Sequence, residues 1–108
     1  MFKQIAPLLL LLAASPCLAA DTGCAADAIA QARKLLLFHS NNDDRAGVEA
    51  KAKELPPLTN PANQRQKFSV FEVKGYIYKG NYRMRLIYYR AGGECLLMGQ
   101  EILELASL

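Results

Sequence analysis

The stretch from Phe68 to Tyr89 reads F-S-V-F-E-V-K-G-Y-I-Y, then K-G-N, then Y-R-M-R-L-I-Y-Y. Two alternating runs of aromatic and β-branched residues flank a Gly-Asn pair, which predicts a β-hairpin. All five tyrosines of the chain lie inside it. Glycine followed by asparagine suits a two-residue loop at Gly80-Asn81, because glycine takes positive φ without steric cost. That register sets Tyr78 opposite Arg83, Tyr76 opposite Arg85, Ile77 opposite Met84 and Val73 opposite Tyr88. A loop at Lys79-Gly80 would instead set Lys74 opposite Arg85, and like charges across a pair are destabilising.

Either register leaves the same residues on each face, since side chains alternate along a strand. Phe71, Val73, Gly75, Ile77, Met84, Leu86 and Tyr88 form the core face. Glu72, Lys74, Tyr76, Tyr78, Arg83, Arg85, Ile87 and Tyr89 form the other. The second face is basic and aromatic together. Arg over Tyr is an ordinary cross-strand contact, worth about 0.5–1 kcal/mol when exposed. Tyr and Arg are also the residues that dominate binding hot spots. Tyr76, Tyr78, Arg83, Arg85, Tyr89 and Lys74 are therefore the candidate binding residues.

The segment ahead of the hairpin supplies a cover for the core face. Ala25, Ala28, Ile29, Ala32, Leu35 and Leu36 recur at three- and four-residue spacing, which predicts a helix from Ala25 to His39. Asp21 or Thr22 is placed to cap it, and the polar run Ser40 to Asp44 ends it. Val48 to Leu55 fits either a strand or a helix, and a short edge strand with lysines is preferred. Pro56-Pro57 is read as its end and Leu58 to Lys67 as a loop. Beyond the hairpin, Ala91-Gly92-Gly93 turns the chain into a third meander strand from Glu94 to Leu105. Cys95 and Leu97 should point toward the helix, Gly99 marks a bulge, and the last few residues suit a short helical turn. The fold class is α+β: one N-terminal helix on a three- to four-stranded antiparallel sheet.

Residues 1–20 carry Lys3, an apolar run from Leu8 to Ala14 and the small-x-small site Cys17-Leu18-Ala19. This pattern is a secretory signal peptide cleaved after Ala19 or Ala20, and its apolar run is too short to span a bilayer. Residues 21–108 then form a single domain, small enough to gain from a covalent staple. The expected location is periplasmic or extracellular. With Cys17 removed, Cys24 and Cys95 remain, and in an oxidising compartment they pair. The closed loop of about 71 residues corresponds to roughly 4 kcal/mol in the chain-entropy model.

Signals for chemistry are thin. His39 stands alone at the helix end, where packing or capping is the usual role of a lone histidine. Asp43-Asp44 lacks the spacing of a calcium loop, and Lys79-Gly80-Asn81 opens no helix as a phosphate loop would. No second carboxylate partners Glu72 across a cleft. No catalytic, cofactor or metal site is expected. The layout, a helix ahead of an antiparallel sheet with one disulfide tying the ends, is similar to that of small periplasmic proteins such as the colicin M immunity protein. It covers element order and length only, so no residue role is carried over.

Charge distribution narrows the partner class. Between Arg65 and Arg90 lie seven basic residues and one acid, Glu72; beyond Arg90 the only charges are Glu94, Glu101 and Glu104. A basic patch steers acidic partners, and export argues against nucleic acid. The leading expectation is a non-enzymatic binding protein, such as an inhibitor, immunity or accessory factor, that holds an acidic protein on its Tyr/Arg face. The alternative is a binder of anionic envelope polymers or lipid head groups. A small secreted hydrolase ranks third.

Overall fold

A computed structural model describes residues 23–105. The expected signal peptide over residues 1–20, the capping residues Asp21 and Thr22, and the helical turn after Leu105 lie outside them. Helix α1 runs Ala25–His39, and five strands follow: β1 Ala46–Val48, β2 Lys53–Asn60, β3 Asn63–Ile77, β4 Gly80–Ala91 and β5 Glu94–Leu105. All are antiparallel in one sheet. The order is β1-β3-β4-β5, with β2 also on β3. β1 meets β3 at Gly75 to Ile77, and β2 meets it at Asn63 to Glu72. They are thus one interrupted edge strand running along the same side of β3. The fold is the expected α+β: one helix on a curled antiparallel sheet.

The helix buries Ala28, Ala32 and Leu36, the stripe that three- and four-residue spacing produces. Cys24 takes the N-cap position without a side-chain hydrogen bond. At the other end Asn41 and Asn42 adopt positive φ of 58° and 63°, a conformation that asparagine tolerates better than most residues. The Ser40 and Asn42 N–H groups donate to the Leu36 and Leu37 carbonyls at 3.0 and 2.7 Å, closing the last turn.

The expected core face is the real one. Phe71, Val73, Met84, Leu86 and Tyr88 are buried against the helix, joined by Tyr82. Gly75 is what lets the helix approach. A Cβ there would lie 2.9 Å from both Leu36 Cδ2 and Met84 Cε. Cys24 and Cys95 are bonded, with Cα atoms 5.9 Å apart, so the start of the helix is fixed to the start of β5. Gln31 Nε2 donates to Gln100 Oε1 at 2.9 Å, a second tie between helix and β5.

Two expectations about the sheet are corrected. The first is the turn. Ile77 pairs with Gly80, so the loop is Tyr78-Lys79, and Val73 faces Met84 where Tyr88 was expected. This register matches the far face better than the turn residues do. It sets Glu72 across from Arg85 and Val70 across from Ile87, and it brings the Phe68 and Tyr89 rings edge to face at 6.2 Å. It also sets Lys74 opposite Arg83, a like-charge pair. Glu72, one row away, offsets this by approaching Arg83 Nε at 3.9 Å.

The second correction concerns residues 53–67. Pro56-Pro57 does not end the strand, and Leu58 to Lys67 is not a loop. β2 and β3 form a long hairpin through Pro61-Ala62, stabilised by Asn60 Nδ2 donating to Gln66 Oε1 at 2.6 Å. Leu55 pairs with Val70 and Leu58 with Phe68, so the two prolines face Ser69 alone as a bulge. Two prolines are admitted there because the bulge breaks the ladder at one position and the edge leaves the outward N–H of the other unpaired anyway. The expected bulge near Gly99 is present: Ile87 pairs with Gly99 and Tyr88 with Leu97, leaving Met98 extra.

Candidate functional site

The helix covers one face of the sheet. No described element covers the other, and its side chains fall into rows read across the strands. One row is Lys53, Glu72, Arg85, Glu101. The next is Leu55, Val70, Ile87, Gly99, and the one beyond it Leu58, Phe68, Tyr89, Leu96. On the opposite side of the charged row lie Lys74, Arg83 and Leu103. The face therefore has an apolar half and a charged half.

Curling of the sheet turns this face into two adjoining hollows. The first, of about 350 Å³, is walled by Leu55, Pro56, Leu58, Val70 and Ile87, with Arg85 and Glu101 at its margin. Val70 is only 4% exposed although no described element covers its face, which shows how closely its neighbours close over it. Leu58, at 48% exposure, forms an open lip. The second hollow, of about 430 Å³, lies where the edge strand is interrupted between β1 and β2. Lys51, Lys53 and Lys74 line it with Glu49, Ala52 and Glu72.

The expected binding residues distribute as follows. Lys74, Tyr76, Arg83, Arg85 and Tyr89 lie on the open face, as alternation requires. Tyr78 does not: it occupies the turn with φ of 54° and is 69% exposed. Its ring carries Arg45 at 5.3 Å and Lys79 at 5.5 Å from the centroid. Arg45 also grips the Asp43 carboxylate at 2.7 Å. The Arg45 guanidinium, with the Arg45 backbone N–H that donates to Asp43 Oδ1 at 2.9 Å, holds the Asp43 pKa down to about 2. Tyr76 donates its hydroxyl to the Glu49 carboxylate. That bond, with some burial, raises the phenol above its ordinary value.

The six residues do not form one cluster. Tyr76 sits opposite Asn81, eight residues along β4 from Tyr89, or about 27 Å at strand rise. Tyr89 belongs to the apolar half and packs on Phe68. Acids are also closer to the cations than the sequence suggested. Glu72 approaches Arg83, and Glu101 lies 3.8 Å from Arg85 Nη1. The Arg85 Nε is shielded and has no hydrogen-bond acceptor among the described residues.

Sequence reasoning missed the rim of both hollows. Leu55 and Leu58 flank Pro56-Pro57, and a proline pair reads as an end to structure. Lys51 and Lys53 were visible as edge lysines, but their place beside Lys74 depends on the interrupted edge strand. The one histidine of the chain packs its ring against Tyr82 at 5.6 Å. Among the described residues, no three His, Cys, Asp or Glu side chains gather where one metal ion would bind. No helix of the described residues is long and apolar enough to cross a membrane.

Comparison with protein-family models, with curated proteins and with solved structures finds no match to this chain.

Proposed function

We propose that this is an exported, non-enzymatic binding protein that holds an acidic protein partner on the open face of its sheet. One observation carries the reading: a concave apolar hollow lies directly beside a hollow rimmed by Lys51, Lys53 and Lys74, on a face that no described element covers. A partner would seat an apolar side chain among Leu55, Leu58, Val70 and Ile87 and direct carboxylates toward the lysines and Arg85. Apolar anchors in pockets carry most of the energy of such interfaces, while rim charges govern encounter and selectivity. An inhibitor, immunity or accessory factor works by this kind of occupancy.

The test is capture of a partner from envelope extract by the oxidised protein, with three variants. Leu58→Asp places a charge on the lip of the apolar hollow. Lys53→Glu with Lys74→Glu reverses the rim. Arg33→Glu with Lys34→Glu makes the same change of charge on the exposed helix surface. The first two should each lose the same captured protein, and the third should keep it. Equal weakening by all the charge variants, with steep loss in salt and no effect of Leu58→Asp, would favour diffuse binding of an anionic polymer instead. Retention by all three would refute the assignment of the face.

A further inference from the structure

The two edges of the sheet are built differently. The β1/β2 edge is interrupted, bulged at Pro56-Pro57 and studded with Lys51 and Lys53. Those are the devices by which proteins prevent a further strand from adding. The β5 edge has a bulge at Met98 and glutamates, but neither an interruption nor a proline nor a lysine. Beyond the bulge, residues 99–105 pair continuously with β4 and have no strand on their outer side among the described residues. Neither proline nor lysine interrupts them. Leu103 is 48% exposed.

The charge of this edge is of one sign. β5 contains Glu94, Glu101 and Glu104 and no Lys, Arg or His. Glu101 stands on the open face across from Arg85, and Glu104 on the helix face across from Tyr82. Glu101 keeps 60% of its side chain exposed despite its loose contact with Arg85. A second copy of the chain is a poor occupant, because pairing β5 with itself collects glutamates from both copies and adds no cation.

We propose that residues 99–105 are a strand-addition site for an extended, cation-bearing segment of a partner protein. Its backbone would pair with the outer edge of β5, as in other β-augmentation complexes. A lysine or arginine would lie against Glu101, and another, three residues away and on the opposite side of the strand, against Glu104. An apolar residue between them would cover Leu103. This site shares Glu101 with the margin of the apolar hollow, but its backbone pairing along β5 does not depend on the assignment of that hollow.

The probe is a blocked ten-residue peptide of Thr and Val with two lysines three residues apart. Two controls accompany it: glutamate in place of lysine, and N-methylation at consecutive residues through the centre, which removes the pairing donors from both edges of the peptide. Amide hydrogen exchange of the oxidised protein is read by NMR. The lysine peptide should slow the outward amides of residues 99–105 at least tenfold, whereas both controls should bind at least tenfold more weakly. The double variant Glu101→Lys with Glu104→Lys should reverse the preference and take the glutamate peptide. Three results would overturn the proposal: equal binding of the N-methylated peptide, protection confined to other strands, or a dimer of the protein alone that already protects residues 99–105.

Discussion

Gly75→Ala tests the packing of helix on sheet at its tightest point. The added methyl would meet Leu36 Cδ2 and Met84 Cε at 2.9 Å and the Gly47 carbonyl oxygen at 3.1 Å. Ordinary carbon contacts lie at about 3.5–4.0 Å, so both side chains must retreat by more than half an ångström. Leu36 and Met84 are 1% and 0% exposed, which leaves them little room. Overpacking of this kind costs about 1–3 kcal/mol. The loss of glycine freedom in the unfolded chain returns about 0.4–1 kcal/mol. The expected net destabilisation is about 1–2 kcal/mol, a fall of roughly 5–15 °C in Tm for a domain this size. Urea and thermal melts of the oxidised protein would measure it. Two companions make the reasoning strict. Gly47 has open space where its Cβ would be, so Gly47→Ala should be neutral or stabilising by up to about 1 kcal/mol. Met84→Leu removes the clashing terminal methyl, so it should relieve Gly75→Ala by at least about 0.5 kcal/mol in a double-mutant cycle. If Gly75→Ala proved as stable as the parent, the close approach of Leu36 to β3 would be wrong.

Three further outcomes follow from the same geometry. Reducing the Cys24–Cys95 bond, which spans 71 residues of sequence, should lower stability by about 4 kcal/mol, read from urea midpoints with and without reductant. Burial, with the nearby Asp27 charge, pushes the Tyr88 phenol up to about 12 from its ordinary value of 10.0. The unfolded chain therefore ionises first, so the contribution of Tyr88 to stability is intact below pH 10 and is lost as pH rises toward 12; ultraviolet titration should show a late step that Tyr88→Phe abolishes. Tyr78→Gly should change stability by less than about 1 kcal/mol, because relief of positive φ roughly offsets the loss of two exposed cation–π contacts; a loss above about 1 kcal/mol in thermal melts would show that the ring is structurally required.

Much of the fold was legible because it rests on strong periodic signals. The Ala25–His39 helix matches its expected span, since its apolar stripe repeats cleanly and a polar run stops it. β5 also matches, from Glu94 to Leu105, because a Gly-Gly turn precedes it. Core and open faces survive any slip that keeps strand parity. The Cys24–Cys95 bond followed from only two cysteines remaining after the expected cleavage. The β2–β3 hairpin was not legible. Its edge strand passes through two prolines, and they are acceptable only because they sit in a bulge on the free outer edge. The two hollows were hidden for the same reason, because their rims come from Lys51 to Leu58.

The turn at Tyr78-Lys79 shows why a local signal yielded to a longer one. Gly80-Asn81 is the better turn sequence, and using it would spare Tyr78 a left-handed conformation that costs a non-glycine residue roughly 1–2 kcal/mol. Sliding to that loop would break several matched pairs at once. Glu72 would leave Arg85, Val70 would leave Ile87, and Phe68 would lose the Tyr89 ring. Core pairs would change too, parting Phe71 from Leu86 and Val73 from Met84. Each cross-strand pair contributes roughly 0.2–1 kcal/mol, so four or five better-matched pairs, set against those that would replace them, supply a gain on the scale of the strain at one residue. The strain at Tyr78 is then a consequence of register, held by pairs that lie up to ten residues away. The same register aligns Leu55, Val70 and Ile87 in one row and Lys53, Glu72 and Arg85 in the next. What forces the awkward turn is therefore also what assembles the apolar hollow beside its charged rim.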